Sequence, residues 1–210
     1  SHELRTPMTS IRAFSEILQD PDLSDGDRPK YARIIEDETQ RLTRLLDDLL
    51  DLSVLENGHV SLELRQARLR DILDRAEASA NVEQHIRIRR SGGREDISIL
   101  TDPDRLTQVF INLMSNAAKY CEAQRPELIV SVSETPAAIT VDFIDNGAGD
   151  DKANQDMIFE KFARASDHSK AGGAGLGLAI CREIISNLGG QISYLPGQRG
   201  AAFRVSLPRD

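Results

Sequence analysis

The sequence is poor in aromatic residues and cysteine, and it contains no long apolar run. Aromatic residues make up 4% of the chain and tryptophan is absent, so the core must consist mostly of Leu, Ile, Val and Ala. The two cysteines, Cys121 and Cys181, lie far apart in helical patterns, which indicates neither a disulfide framework nor a metal-ligand spacing and favours a reducing compartment. No apolar stretch approaches the roughly 20 residues that span a bilayer.

Positive charge is also in deficit, since 26 Lys and Arg face 34 Asp and Glu and the net charge is −8. This balance argues against a general nucleic-acid binder, so we expect no nucleic-acid partner, and any anionic ligand must be bound locally. What is present is a globular composition, with 40% hydrophobic and 29% charged residues in a chain of 210. That length suffices for one large domain or two modest ones.

Residues 1–58 predict a helical hairpin. Apolar residues recur three and four apart from Leu4 to Leu18, turn-forming residues follow at 20–27, and a second apolar period runs from Tyr31 to Leu55. Because two such helices leave a wide apolar face uncovered, a second copy would complete a dimeric four-helix bundle. The alternative is that the hairpin packs on its own downstream domain. The expected dimer seam consists of Ile35, Leu42, Leu45, Leu49 and Leu52.

Residues 59–210 predict an α/β domain, because after Asn57-Gly58 the helical period gives way to short alternating runs. Helices and strands then mix without strict alternation, which predicts a mixed sheet covered by helices on one face. We expect Asp102 to cap the longest of these helices. The predicted helices cover 69–80, 103–121 and 176–188, and the predicted strands cover 62–64, 86–89, 97–100, 128–133, 139–144, 191–194 and 202–207.

His2 is the first residue that suggests chemistry. It lies two residues before Leu4, beside the apolar stripe, so we expect its imidazole to reach solvent. Neutral imidazole is a good nucleophile near pH 7, and the adjacent Glu3 could accept its ring proton or fix its tautomer. Read alone, a surface histidine beside a glutamate is ordinary.

Asn112, Asn116 and Lys119 are spaced so that they share one face of a predicted helix. Amide oxygens suit a Mg²⁺ ion that keeps most of its waters, and a lysine adds a positive charge for phosphate. An ordinary exposed polar face would show the same spacing.

Asp145 directly follows an apolar strand and precedes the flexible stretch Asn146-Gly147-Ala148-Gly149. A carboxylate there can accept a hydrogen bond from the exocyclic amine of adenine, and the glycines allow close approach of the backbone to the ring. The plainer alternative is an Asp-Asn-Gly turn.

A glycine-rich stretch, residues 172–177, opens the last predicted helix, where backbone amides and the positive helix end favour an anion such as a triphosphate. Between it and Asp145 lies a long segment with one apolar island at 157–162, which is typical of a functional lid or of disorder, and Phe159 and Phe162 would let a lid dock. Arg164 follows, where it could reach a terminal phosphate.

These clusters, in this order, resemble the sensor histidine kinase family. Residues 2–7 look like its H box, 112–120 its N box, 145–149 its G1 box, 159–162 its F box and 173–177 its G2 box. The resemblance covers nearly the whole chain. It implies a dimerisation and histidine-phosphotransfer hairpin at 1–58, followed at 59–210 by an α/β sandwich of the GHKL (Bergerat) type that binds ATP.

The resemblance implies an ATP-dependent kinase that phosphorylates its own His2, assisted by Glu3, and passes the phosphoryl group to an Asp of a response regulator. Glu3 and Thr6 also resemble the family's pattern for dephosphorylating that regulator. Asn116 is the expected Mg²⁺ ligand. The expected nucleotide-binding residues are Asn112, Asn116, Lys119, Tyr120, Asp145, Gly147, Gly149, Phe159, Phe162, Arg164, Gly173, Gly175, Leu176 and Gly177.

Two positions depart from the family pattern. Ala174 stands where a Thr or Ser is common, and Asp150 stands where an aliphatic residue usually follows the G1 box. The first change removes a hydroxyl contact to phosphate and the second adds negative charge near the nucleotide, which is compatible with weaker ATP binding and does not require its loss.

Two other functions fit the motifs less well. A non-catalytic dimeric signalling scaffold is disfavoured by intact His2, Asn116 and Asp145, and an ATPase of the gyrase or mismatch-repair kind is disfavoured by the hairpin that carries His2. Because the chain opens at Ser1 inside a helical pattern, we expect it to be the cytoplasmic part of a longer protein. Any membrane contact would then be made through a segment absent from this chain.

Overall fold

The computed structural model of the chain describes residues 2–57, 61–80, 82, 84–149, 157–163, 175–196 and 198–209. The chain forms two compact units, Ser1–Ser53 and Val54–Asp210. Within the described residues, none of the helices combines the length and the apolar character that crossing a bilayer requires.

The first unit is the predicted helical hairpin. Helix α1 spans His2–Leu18 and helix α2 spans Arg28–Glu56, and the last turn of α2 belongs to the second unit. The turn between them is fixed by Arg28, whose guanidinium donates to the carbonyl oxygen of Leu18 at 3.0 Å. One turn further along, the rings of Phe14 and Tyr31 stack with centroids 5.6 Å apart. Local turn chemistry and one aromatic pair therefore set the two helices side by side.

Helix α2 carries two apolar rows that differ in exposure. Leu45 and Leu52 from the predicted dimer seam are only 4% and 2% exposed within a single copy. The sequence predicts that both contact a second copy, but their burial within one copy leaves little surface for that contact. Leu46 and Leu50, in contrast, remain 46% and 65% exposed. Two exposed leucines, Leu46 and Leu50, therefore lie on the face of α2 beside the predicted seam.

The second unit is the predicted mixed sheet with helices. Its elements are β1 (Arg65–Arg68), α3 (Leu69–Ala80), β2 (Arg87–Ser91), β3 (Ser98–Thr101), α4 (Pro103–Tyr120), β4 (Glu127–Glu134), β5 (Ala138–Asp145), α5 (Gly177–Asn187), β6 (Gln191–Tyr194) and β7 (Ala202–Pro208). The described residues form a sheet in the order β2-β4-β5-β7-β6, in which β2 and β4 are parallel and the other neighbours are antiparallel. Strands β1 and β3 form a separate antiparallel pair.

The strand predicted at 62–64 is wrong. The strand in this region begins at Arg65, where it pairs with Thr101, and Leu64 is 53% exposed. The residues that pair with β3 are 65–68, which follow the alternating leucines that suggest a strand. The α/β fold itself is as predicted.

One face of the sheet carries the core. Along β5 the inward residues Ile139, Val141 and Phe143 are almost fully buried, while the ring of Phe110 from α4 lies 5.3 Å from that of Phe143. Helix α4 begins at the predicted cap, since the Asp102 carboxylate accepts hydrogen bonds from the first amides of the helix. The sheet and α4 together place the ends of β5 and α4 in the same part of the unit.

Candidate functional site

Asp145 is the last residue of β5 and is held by backbone from two directions. Asp145 is only 8% exposed. Its Oδ1 accepts hydrogen bonds from the amides of Gly147 at 2.8 Å and Ala201 at 3.1 Å. Gly200 is required for this approach, because a Cβ there would overlap the carbonyl and carboxylate oxygens of Asp145. The carboxylate is therefore fixed in orientation before any ligand arrives.

Asn146 is a site residue that the sequence did not single out. Its Oδ1 accepts from the amide of Glu127 at 2.9 Å and from the Cys121 thiol at 3.2 Å, and its Nδ2 donates to the carbonyl of Arg125 at 2.9 Å. These bonds tie the end of β5 to the segment that follows α4. The only sequence signal was the Asp-Asn-Gly turn, which does not reveal partners far away in the chain.

The predicted polar face of α4 is present. Asn112 and Asn116 are half-buried and Lys119 is exposed, while Leu113 and Ala117 turn into the core. This arrangement leaves both amide side chains within reach of a ligand on that face.

Asn112 also adjoins the start of α5. Its Nδ2 lies 3.5 Å from the carbonyl oxygen of Gly177, a long hydrogen bond that brings the N-box helix to the glycine-rich helix start. Cys181, one turn along α5, places its thiol 3.8 Å from the carbonyl of Val109 on α4. Complete burial raises the pKa of this thiol to about 12, so it is a packing group between α4 and α5.

Residues 157–163, called the Phe segment below, dock onto β7 and onto the start of α5. Phe159 is 7% exposed and meets the ring of Phe203 edge-on at 6.2 Å. The amide of Phe162 donates to the carbonyl of Gly175 at 2.9 Å. Gly175 has φ +68°, and a Cβ there would lie 2.6 Å from the carbonyl oxygen of Ala163. A glycine is therefore needed where the segment meets the helix start.

The helix start itself suits an anion. Leu176 is the N-cap of α5 and provides no side-chain acceptor for the amides of the first turn. A helix N-terminus whose N-cap side chain provides no acceptor is a favourable place for a phosphate.

Several predicted residues are not brought together here. His2 opens α1, where Glu3 is half-buried and Thr6 is exposed, and these three belong to the first unit. Gly149 and Tyr120 are exposed in the second unit. Arg164 and Gly173, together with the departures at Ala174 and Asp150, lie outside the described residues.

Two family models match the chain. The model described as "Histidine kinase-, DNA gyrase B-, and HSP90-like ATPase" matches residues 101–210, and the model described as "His Kinase A (phospho-acceptor) domain" matches residues 1–58. The chain belongs to the sensor histidine kinase family. Its second domain is accordingly an ATP-binding domain of the histidine kinase type, and its first is a phosphoacceptor hairpin.

Similar proteins agree with this assignment. The sensor protein kinase WalK of Staphylococcus saprophyticus is 35% identical over 99% of this chain, which spans 35% of the length of that relative. Histidine kinase ThkA, solved in complex with the response regulator protein TrrA, has a TM-score of 0.80 at 24% identity over 100% of this chain and 59% of its own. Full-length ShkA in complex with AMPPNP has a TM-score of 0.74 at 26% identity over 99% of this chain and 44% of its own.

Proposed function

We propose that the chain is the catalytic core of an ATP-dependent protein-histidine kinase of a two-component system. The observation that carries the proposal is that one chain combines a phosphoacceptor hairpin opening with His2 and a buried Asp145 pre-oriented by two backbone amides. We place the boundary between the hairpin and the catalytic domain at residues 58 and 59.

Asp145 is the proposed adenine contact. An ionised carboxylate offers about four acceptor positions, so Asp145 can accept from the exocyclic amine of adenine while Oδ1 keeps its bonds to Gly147 and Ala201. The Phe segment covers the nucleotide and the amides at the start of α5 meet its phosphates. The residues proposed to surround the nucleotide are Asn112, Asn116, Lys119, Tyr120, Gly147, Gly149, Phe159, Phe162, Arg164, Gly173, Gly175, Leu176 and Gly177.

Asn116 is the proposed Mg²⁺ ligand. Its half-buried amide on the polar face of α4 provides the neutral oxygen that a partly hydrated Mg²⁺ accepts. When bound, the ion would neutralise charge on the phosphates, while Asn112 and Lys119 hold the phosphate oxygens.

In the proposed reaction a ring nitrogen of His2 attacks the γ-phosphorus of ATP. The N–P bond forms as the bond from phosphorus to the β,γ-bridging oxygen breaks, ADP leaves, and Glu3 accepts the imidazole proton. Positioning and charge neutralisation supply most of the catalysis in such transfers. Glu3 and Thr6 would also serve a second reaction, in which Thr6 orients a water that attacks the phosphorus of the phosphorylated regulator, the bond from phosphorus to the Asp oxygen breaks, and inorganic phosphate leaves.

The proposed partners are a second copy of the chain, through the hairpin, and the receiver domain of a response regulator. The ThkA complex with TrrA supports a partner of this class. In the receiver, an Asp carboxylate takes the phosphoryl group from His2 and leaves the imidazole ready for another cycle.

Incubation with γ-labelled ATP tests the function. Phosphohistidine is acid-labile and base-stable, so we expect label that survives base and is lost in acid, and no label on His2→Ala. Because the acceptor and the nucleotide site belong to different domains, the affinity of His2→Ala for ADP should stay within about tenfold, or 1.4 kcal/mol, of the wild type.

Two other outcomes would each overturn the proposal. A protein that binds nucleotide without taking up label would be a signalling scaffold. One that releases free phosphate without a labelled intermediate would be an ATPase.

A further inference from the structure

The last turn of α2 makes two polar contacts inside the second unit, Val54–Asp210. Nζ of Lys161, in the Phe segment, lies 2.6 and 2.8 Å from the two carboxylate oxygens of Glu56. Nδ2 of Asn187, the last residue of α5, lies 3.4 Å from the carbonyl oxygen of Leu55. Leu55 itself is 1% exposed. The compact second unit accordingly begins at Val54, inside the helix.

Lys161 stands next to the strained part of the Phe segment. Phe162 has φ +63°, a left-handed conformation that costs a non-glycine residue free energy and persists only where neighbouring contacts hold it. Its amide bonds the carbonyl of Gly175, which also has a left-handed backbone. A short covalent and hydrogen-bonded path therefore runs from Glu56 through Lys161 and Phe162 to the start of α5.

The other charged residue of this segment faces a different element. Glu160 pairs with Arg182 of α5, with 3.2 Å between Oε1 and Nη1. Lys161 alone therefore joins the described part of the Phe segment to α2 by an ion pair.

We propose that Lys161 is a positioning residue for the nucleotide site, which through its ion pair with Glu56 makes the affinity for nucleotide depend on the orientation of the last turn of α2. Rotation of that turn by one residue, about 100°, would carry Glu56 away from Lys161. Lys161, the residue that precedes the left-handed Phe162, would then lose the ion pair that fixes its side chain. This inference rests on the proposed function, because it assumes that the Phe segment covers a nucleotide.

The effect should be small and sensitive to salt. The side chains of Lys161 and Glu56 are 45% and 36% exposed, and pairs this accessible are screened by ions. Loss of the pair should weaken nucleotide binding about two- to fivefold at low ionic strength, in line with measured partly exposed pairs.

Charge reversal tests the pair in the full chain, with ADP as the ligand. Glu56→Lys and Lys161→Glu should each weaken ADP binding and raise KM for ATP, with kcat and the melting temperature nearly unchanged. The double variant restores opposite charges and should recover the wild-type affinity. High salt should bring all four proteins to one affinity.

A control is the ion pair of Arg70 and Asp96, which is somewhat more exposed, at 50% and 66%, with Nη2 and Oδ2 3.1 Å apart. Reversing its charges should leave ADP affinity unchanged. If the wild type binds ADP and the single variants at Glu56 and Lys161 bind it equally well, the positioning role is wrong although the kinase function stands. Failure of the double variant to recover affinity would also overturn it. Failure of the wild type to bind ADP would remove the proposed function and this inference together.

Discussion

Asp145 and Asn146 are neighbours in the chain with different tasks. The carboxylate of Asp145 is oriented by two amides at the end of β5, whereas the amide of Asn146 joins that strand end to the segment after α4. One residue is thus available to recognise a ligand, and the next builds the backbone around it.

Asn146→Ala should destabilise the catalytic domain. The change removes the acceptor for the amide of Glu127 and the donor to the carbonyl of Arg125. Leaving the part-buried amide of Glu127 unsatisfied costs about 1–3 kcal/mol, whereas the exposed carbonyl of Arg125 can bond to water. Urea unfolding should show a lower midpoint with an unchanged slope, and an unchanged midpoint would mean that water replaces both bonds at no cost.

Asp145→Asn and Asn116→Asp should impair nucleotide binding in distinguishable ways. The first keeps an acceptor oxygen but loses the charge that strengthens the adenine contact, so affinity should fall by about 1 kcal/mol, roughly fivefold, with or without Mg²⁺. The second adds negative charge beside the triphosphate. Its autophosphorylation should suffer more than its binding of the base, and its metal dependence should change.

Titrations of ADP and ATP with and without Mg²⁺ separate the two roles. An Asn116 variant that lost affinity equally in every condition, beside an unaffected Asp145 variant, would refute the assignment of metal and adenine contacts.

The buried thiol of Cys181 predicts that the folding stability of the chain falls at high pH. Its pKa is raised to about 12 in the folded chain from 9.0 for an unperturbed thiol, because burial penalises the thiolate. The stability that this shift contributes is therefore complete below about pH 9 and is lost as the pH rises towards 12. Iodoacetamide at pH 8–9 should modify Cys181 only after denaturant is added, as read by peptide mapping. Modification of the native protein at the unfolded rate would contradict the packing between α4 and α5.

At the scale of the elements, local signals predicted the helices well. The bounds of α3 agree with the prediction because Leu69, Ile72 and Ala76 mark its buried face, and α4 begins after Asp102 because the cap is encoded within a few residues. The strand at 62–64 was predicted wrongly because pairing with another strand, and not the local sequence, decides where β1 begins. The register of β1 with β3 sets its start at Arg65.

The candidate site was predictable to the same extent. Asp145 follows an apolar strand, and Asn112 and Asn116 share a helix face, so local patterns marked these positions. Their roles in binding came from the resemblance of the ordered motifs to the sensor histidine kinase family, and they stay predictions. The amide of Ala201 comes from 56 residues further along the chain, and the partners of Asn146 lie 19 to 25 residues before it. Long-range partners of this kind leave no local pattern.

Gly175→Ala should undock the Phe segment. A Cβ would lie 2.6 Å from the carbonyl of Ala163 at a position with φ +68°, and the left-handed conformation alone costs about 1–2 kcal/mol for alanine. ADP affinity should fall roughly tenfold. Gly26→Ala is the matched control, because the nearest atom to a Cβ there is the Ser24 hydroxyl at 3.9 Å, and it should bind ADP normally. Equal affinities of the two variants would exclude a role for this contact in binding.

At the scale of the whole molecule, the two apolar rows of α2 predict how copies associate. Leu45 is 4% exposed and so stabilises the single copy, whereas Leu46 and Leu50 lie one turn apart at 46% and 65% exposure. Burial of a leucine side chain stabilises by about 1.5–3 kcal/mol, and a second hairpin related by two-fold symmetry can cover such a row on both copies at once.

Leu50→Lys should therefore yield a monomer with unchanged helicity, because the new ammonium meets water in the single copy and meets the apolar row only in the dimer. Leu45→Lys should instead lower the free energy of unfolding by about 2–5 kcal/mol, since it removes a buried leucine and places a charge in its site. Light scattering and circular dichroism at micromolar concentration compare the three proteins. A wild type that is monomeric at micromolar concentration would contradict association through this row. A Leu50→Lys variant that stays dimeric would contradict it too, because its single substitution places a charge in the row.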